Sequence, residues 1–207
     1  MLCLAKAGRL ATALALLPRI QRDPEEKIYY AQLRAQVYFV AKQWDRSLDV
    51  LNKALAIFPD AAQLYYDRAM VLVEMKRLAQ GEADLRRALA LAPDNPTMLN
   101  GLGFTLITRN PAEAETLLRR ARAHIPDDVY IEDSWGWLLY HQGKLAESEK
   151  VLTGLFFMHK NPDVIAHYVE VLLAQKKSQE ARAVLQLGLS IYPNNDYLQR
   201  LMQRVDR

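Results

Sequence analysis

The sequence predicts an all-α chain made of stacked helical hairpins, and three observations carry that prediction. Alanine and leucine dominate a chain of 207 residues that is 51% hydrophobic and holds only 8 Gly and 9 Pro; this favours helix and supplies enough apolar material for a core. Residues recur at a stride of 34: Ala35 and Ala69, Lys42 and Lys76, Leu51 and Leu85, Ala54 and Ala88, Pro59 and Pro93. Within each stride apolar residues return at three- and four-residue spacing, as on one face of a helix.

The elements follow in order. Residues 1–27 read as a partial repeat: the tail of one helix, a turn at Gly8, then a second helix carrying Leu10, Ala13, Leu14 and Leu17. Lys6 and Arg9 before the run Leu10 to Leu17 give this start some likeness to a signal peptide. No small-residue cleavage site follows, only Pro18-Arg19-Ile20-Gln21, so the helix reading is preferred. Five full units then span 28–61, 62–95, 96–128, 129–161 and 162–195. The third is one residue short at Asn110-Pro111. Residues 196–207 read as a capping helix with Leu198, Leu201, Met202 and Val205 on one face.

Each unit predicts two antiparallel helices. Ala35, Ala69, Gly103 and Gly136 in the first helices, and Ser47, Gly81, Ala114, Ser148 and Ala181 in the second, permit close approach. Pro59, Pro93, Pro126 and Pro193 end second helices, because proline cannot extend the hydrogen-bond ladder and restricts its predecessor. One hairpin cannot bury its apolar faces alone, so neighbours must stack. The fourth unit departs from the pattern, with Leu155 for the usual Ala and Lys160 for the usual Pro. In the fifth, Tyr168-Val169 replaces a large-small pair.

A 34-residue unit with these features resembles the tetratricopeptide repeat family. The fourth unit shows its pattern: Trp135-Gly136, Leu139, the turn Gln142-Gly143-Lys144, Ser148 and Leu152. The resemblance covers nearly the whole chain. It implies a right-handed superhelical solenoid whose first helices line a concave groove that binds other proteins. Carried to this chain, the groove candidates are Tyr29, Gln32, Gln36 and Phe39, then Gln63, Tyr66, Met70 and Val73, then Thr97, Asn100, Phe104 and Ile107. The fourth unit adds Tyr130, Asp133, Trp137, Tyr140 and His141, and the fifth Asp163, Ala166, Glu170 and Leu173. The partner-binding set is Tyr29, Phe39, Tyr66, Met70, Asn100, Phe104, Trp137, Tyr140 and His141. Aromatic and methionine side chains give large contact area at modest entropic cost. The same aromatics can instead complete the packing between successive first helices. For Phe104, Trp137 and Tyr140 binding is preferred, since Trp135 already fills the core position beside Trp137. Family members that grip a peptide's C-terminal carboxylate use Lys, Arg and Asn on these helices. Here Gln32, Gln36, Asp67 and Asn100 stand instead, which argues against such a clamp.

A narrower resemblance rests on Asn100-Gly101-Leu102-Gly103-Phe104-Thr105-Leu106 and Ile131-Glu132-Asp133-Ser134-Trp135-Gly136-Trp137-Leu138-Leu139-Tyr140. Together these are similar to proteobacterial outer-membrane tetratricopeptide lipoproteins. That likeness implies a periplasmic adaptor whose partner is a C-terminal processing protease or its substrate. It also implies a lipid anchor upstream of residue 1, since Cys3 lacks the preceding apolar stretch. The alternatives are a cytoplasmic co-chaperone-like scaffold and a structural module that self-associates through its exposed N-terminal half-repeat.

Other chemistry finds little support. The net charge is +3, with 27 basic and 24 acidic residues interspersed, which is not the basic face of a nucleic-acid binder. No apolar stretch approaches the length of about 20 residues needed to cross a bilayer. His124, His141, His159 and His167 lack paired metal spacing and a Cys companion, so no metal is expected. Each is read as a satisfied or exposed histidine. Glu132-Asp133 is read as a pair that favours a helix N-terminus. Gly101-Leu102-Gly103 lies within a helix pattern and is no phosphate loop. No cofactor and no catalytic residues are expected, and the chain is not read as an enzyme.

Overall fold

A computed structural model describes residues 1–17 and 23–205. Residues 18–22 of the N-terminal partial repeat and 206–207 of the expected capping helix lie outside the described residues. All described elements are helices: α1 Leu2–Lys6, α2 Leu10–Ala15, α3 Pro24–Val40, α4 Trp44–Ile57, α5 Ala62–Glu74, α6 Leu78–Leu91, α7 Pro96–Leu106, α8 Pro111–His124, α9 Val129–His141, α10 Leu145–His159, α11 Pro162–Ala174, α12 Ser178–Ile191 and α13 Asp196–Val205. They form two compact units, Met1–Leu102 and Gly103–Arg207, divided within α7.

In the first unit α3 packs on α4 and α5 on α6, while α3 also meets α5 directly. The reversal after each first helix is made at Lys42 and Lys76, with φ +56° and +60°. The hairpin closes tightly because its crossing residues are small. Ser47 is fully buried and its hydroxyl donates to the Ala35 carbonyl at 2.8 Å. A Cβ on Gly81 would stand 3.1 Å from Val73 Cγ2 and 3.3 Å from the Ala69 carbonyl. Leu51, Leu64 and Leu85 are also fully buried.

The second unit repeats the scheme. α9 packs on α10, α11 on α12, and α9 meets α11. Ser148 donates to the Gly136 carbonyl at 2.7 Å, as Ser47 does to Ala35. The missing residue of the third repeat has a visible effect: no residue from Ile107 to Asn110 takes a positive φ, and α8 starts on Pro111 with Asn110 capping the Glu113 amide. The fourth repeat shows what an absent proline does. Second helices α4, α6, α8 and α12 stop two residues before Pro59, Pro93, Pro126 and Pro193. Helix α10 runs to His159 and is ended by Lys160 in the left-handed region, φ +41°. Asn161 then caps α11, with Pro162 in its first turn. Helix α13 closes the unit by packing on α11 and α12, burying Leu198, Leu201 and Val205.

Candidate functional site

First-helix positions meet across neighbouring repeats in a recurring way. In the first unit Gln32 of α3 donates its amide to Asp67 Oδ2 of α5 at 2.7 Å. Gln63, one turn before Asp67, donates to Oδ1 at 3.1 Å. Next along, the Tyr66 ring lies against Gly101: a Cβ there would come within 2.8 Å of Tyr66 Cε2. In the second unit the corresponding pair is Asp133 of α9 and His167 of α11, with His167 Nδ1 at 2.9 and 3.0 Å from the two carboxylate oxygens.

Around Asp67 the first unit opens a pocket of about 340 Å³ between α3 and α5. Tyr29, Gln32, Gln36, Phe39, Tyr66 and Met70 are among its walls, and Ala35 and Leu51 lie at its base. Tyr29 is 58% exposed. Burial pushes the Asp67 carboxyl above the usual carboxylate range, and the hydrogen bonds from Gln32 and then Gln63 hold it back. Burial, with the Asp67 charge added, raises the Tyr66 phenol. Four of the expected partner-binding residues, Tyr29, Phe39, Tyr66 and Met70, are thus brought to one cavity. Asn100 stands apart from it, with its side-chain oxygen buried and without a hydrogen-bond partner among the described residues.

The second unit gathers Phe104, Trp137, Tyr140 and His141. The Trp137 indole stacks on Tyr140, with centroids 4.7 Å apart, and on His167 at 4.2 Å. His141 meets Trp137 edge-on at 4.7 Å, and Phe104 lies 6.1 Å from His167. Phe104 remains 41% exposed, while His167 and Asp133 are buried. Burial and then the charge of His167 lower the His141 imidazole. Asp163 at the start of α11 is raised, first by burial, countered by His167 and increased again by Asp133. Trp135 is buried in the core, its ring beneath the guanidinium groups of Arg122 and Arg119 at 4.7 and 5.1 Å.

Several expected groove residues turn inward. Ile107 is buried, because the shortened third hairpin places it in the turn just past α7. Ala166 is buried in the apolar core of α11. Glu170 is covered by α13, whose Arg204 forms a two-pronged ion pair with it, the outer contact at 3.0 Å. The pair Glu132-Asp133 is not held by the helix terminus alone: Glu132 receives Arg122 at 2.6 and 3.0 Å, and Asp133 takes His167. His167 was absent from the groove candidates. Its signal in the sequence is its distance of 34 residues from Asp133, the stride of the repeat. Among the described residues no group of three or more His, Cys, Asp or Glu could hold a metal ion, and no helix is long and apolar enough to cross a membrane.

Comparison with known proteins places this architecture. The tetratricopeptide repeat family model matches residues 34–100. A TPR repeat-containing protein of Pseudomonas aeruginosa is 35% identical over 170 residues, which cover 81% of this chain and 29% of that protein's length. The chain thus spans under a third of this relative. Among solved structures, a tetratricopeptide repeat protein from Parabacteroides merdae superposes with a TM-score of 0.77 at 16% identity, covering 99% of this chain and 80% of that one. A thermophilic TPR protein of Thermus thermophilus gives 0.75 at 15% identity, covering 88% and 98%. The recurring hairpins, the family match over residues 34–100 and the 35% identical relative show that this chain carries tetratricopeptide repeats.

Proposed function

We propose that the chain is a non-catalytic adaptor that holds a segment of a partner polypeptide against the first-helix face of its repeats. One observation carries this reading. The pocket between α3 and α5 is open, and its walls are aromatic, methionine and amide side chains, the types that dominate protein-binding hot spots. Site-specific photo-crosslinking tests it. A benzophenone side chain at Tyr29, beside the pocket, captures a partner in cells producing the full-length natural protein. The same group at Lys53, exposed on α4, does not. Equal capture at both positions, or capture at Lys53 alone, overturns the reading.

The narrower proposal is a bacterial envelope lipoprotein, attached to the outer membrane by an upstream anchor and presenting substrates to a C-terminal processing protease. Its support is the pair of strings Leu102-Gly103-Phe104-Thr105-Leu106 and Asp133-Ser134-Trp135-Gly136-Trp137-Leu138-Leu139-Tyr140, together with a bacterial relative. Fractionation of cells producing the full-length protein tests the location. Recovery in the outer-membrane fraction, released by removing the upstream segment, is expected. Recovery in the cytoplasm overturns it.

A further inference from the structure

The first-unit pocket contains a carboxylate whose surroundings are unusual for a half-buried acid. Asp67 is held by two neutral amide donors, Gln32 and Gln63, one on each oxygen. Among the described residues no Lys, Arg or His pairs with it. A carboxylate offers about four acceptor positions, two on each oxygen. The two amides occupy one on each, so one remains free on each oxygen. Two parallel N–H donors match that arrangement, and a guanidinium presents them in a fixed planar fork. Tyr29 and Tyr66 line the same cavity and offer π-faces for a planar cation. Phe39 and Met70 supply apolar wall for the aliphatic stem of a long basic side chain. The volume of about 340 Å³ exceeds what one side chain fills, which leaves room for the adjoining backbone.

We propose that the pocket between α3 and α5 receives an arginine side chain of the bound polypeptide, with Asp67 accepting the guanidinium and Tyr29 and Tyr66 flanking it. This rests on the reading of the first-helix face as a partner-binding surface and names the chemistry recognised there. It inverts the charge logic of a clamp that grips a peptide carboxylate: here the protein supplies the anion. The amides of Gln32 and Gln63 hold Asp67 in place before binding. The ligand therefore meets a preset acceptor and spares the ordering of a mobile side chain.

The test uses the full 207-residue chain and N-acetyl-arginine N-methylamide as probe, followed by NMR. Saturable shifts of the Gln32 and Gln63 side-chain amide signals are expected. The citrulline analogue, the same shape without the charge, binds weaker by about tenfold or more. The lysine analogue binds more weakly than arginine, because it lacks the fork. Asp67→Asn reduces arginine binding by a similar factor while far-UV circular dichroism stays unchanged. Equal binding of citrulline and arginine, tighter binding of lysine, or no saturable shift each overturns the proposal. The citrulline comparison needs only the unsubstituted protein, so it stands if Asp67→Asn fails to fold. Photo-crosslinking at Tyr29 requires no arginine in the partner, so the adaptor reading and the arginine pocket can fail separately.

Discussion

The two units build their first-helix faces from the same positions of the same repeat, yet one lines a pocket with amides around a carboxylate and the other stacks aromatic rings beside one. In the first, Gln32 reaches Asp67 and two amides surround a carboxylate; amides are thin and neutral, so the charge and the space above it remain. In the second, Asp133 reaches His167, whose ring satisfies the acid and also stacks on Trp137, which in turn stacks on Tyr140. The acid and its partner trade positions between the units: the partner is the amide of Gln32 beside the open pocket and the imidazole of His167 within the aromatic stack. The repeat therefore sets which positions meet, and side-chain chemistry decides whether the meeting point is a site or a seam.

Breaking the seam gives the largest expected effect. His167→Ala strips Asp133 of its partner inside a buried environment and removes one face of the Trp137 stack. A loss of about 3–5 kcal/mol is expected, the cost of leaving a buried charge uncompensated. Chemical denaturation of the full chain measures it. A loss below about 1 kcal/mol would show that water reaches Asp133 readily.

Comparing two glycines sharpens the contrast. At Gly136 a methyl would meet two Leu152 carbons at 2.8 Å, and Leu152 is fully buried. Overpacking costs about 1–3 kcal/mol there, offset in part by the better helix propensity of alanine. A net loss of about 1 kcal/mol for Gly136→Ala is expected in thermal or urea unfolding. At Gly101 the nearest atom is Tyr66 Cε2, on a ring that borders the open pocket and has space to move. Gly101→Ala is expected to shift the Tyr66 ring signals in NMR spectra while costing less stability than Gly136→Ala.

Acidity probes the pocket next. The folded pKa of Asp67 lies above its ordinary value because burial disfavours the charged form. Between the unfolded and folded pKa values the native state binds more protons than the unfolded chain, so this group's stabilising contribution is lost as pH rises through the folded value. Comparing stability against pH for the unsubstituted chain and Asp67→Asn isolates it. The fall with rising pH through that window should be smaller in Asp67→Asn. Identical profiles would mean that Asp67 titrates as an exposed acid.

Smallest of all is the expected cost of Tyr29→Ala. This side chain is mostly exposed, so stability should change by no more than about 0.5 kcal/mol. Its effect belongs in binding: the N-acetyl-arginine probe should bind more weakly. A large loss of stability would reassign Tyr29 from ligand wall to packing.

Much of the fold was legible because it is written several times over. The stride of 34, the small residues at Ala35, Gly81 and Gly136, and the prolines at 59, 93, 126 and 193 each name a contact or a stop that the helices realise. The first-helix face was legible as a list of positions, from Tyr29 to His141. Its inward members, Ile107 and Glu170, were not: their burial depends on a deleted turn residue in one case and on Arg204 of α13 in the other.

The amino-acid order alone determined helix, hairpin and repeat, because periodic apolar spacing and helix terminators act within one or two turns of the residues that carry them. Only tertiary structure decided the pairings Gln32 with Asp67 and Asp133 with His167. Those side chains lie a full repeat apart along the chain and become neighbours only once one hairpin stacks on the next. Whether such a pair leaves an unmet charge beside an open cavity depends on the size, donors and burial of every group brought to that point, and no local pattern encodes that sum.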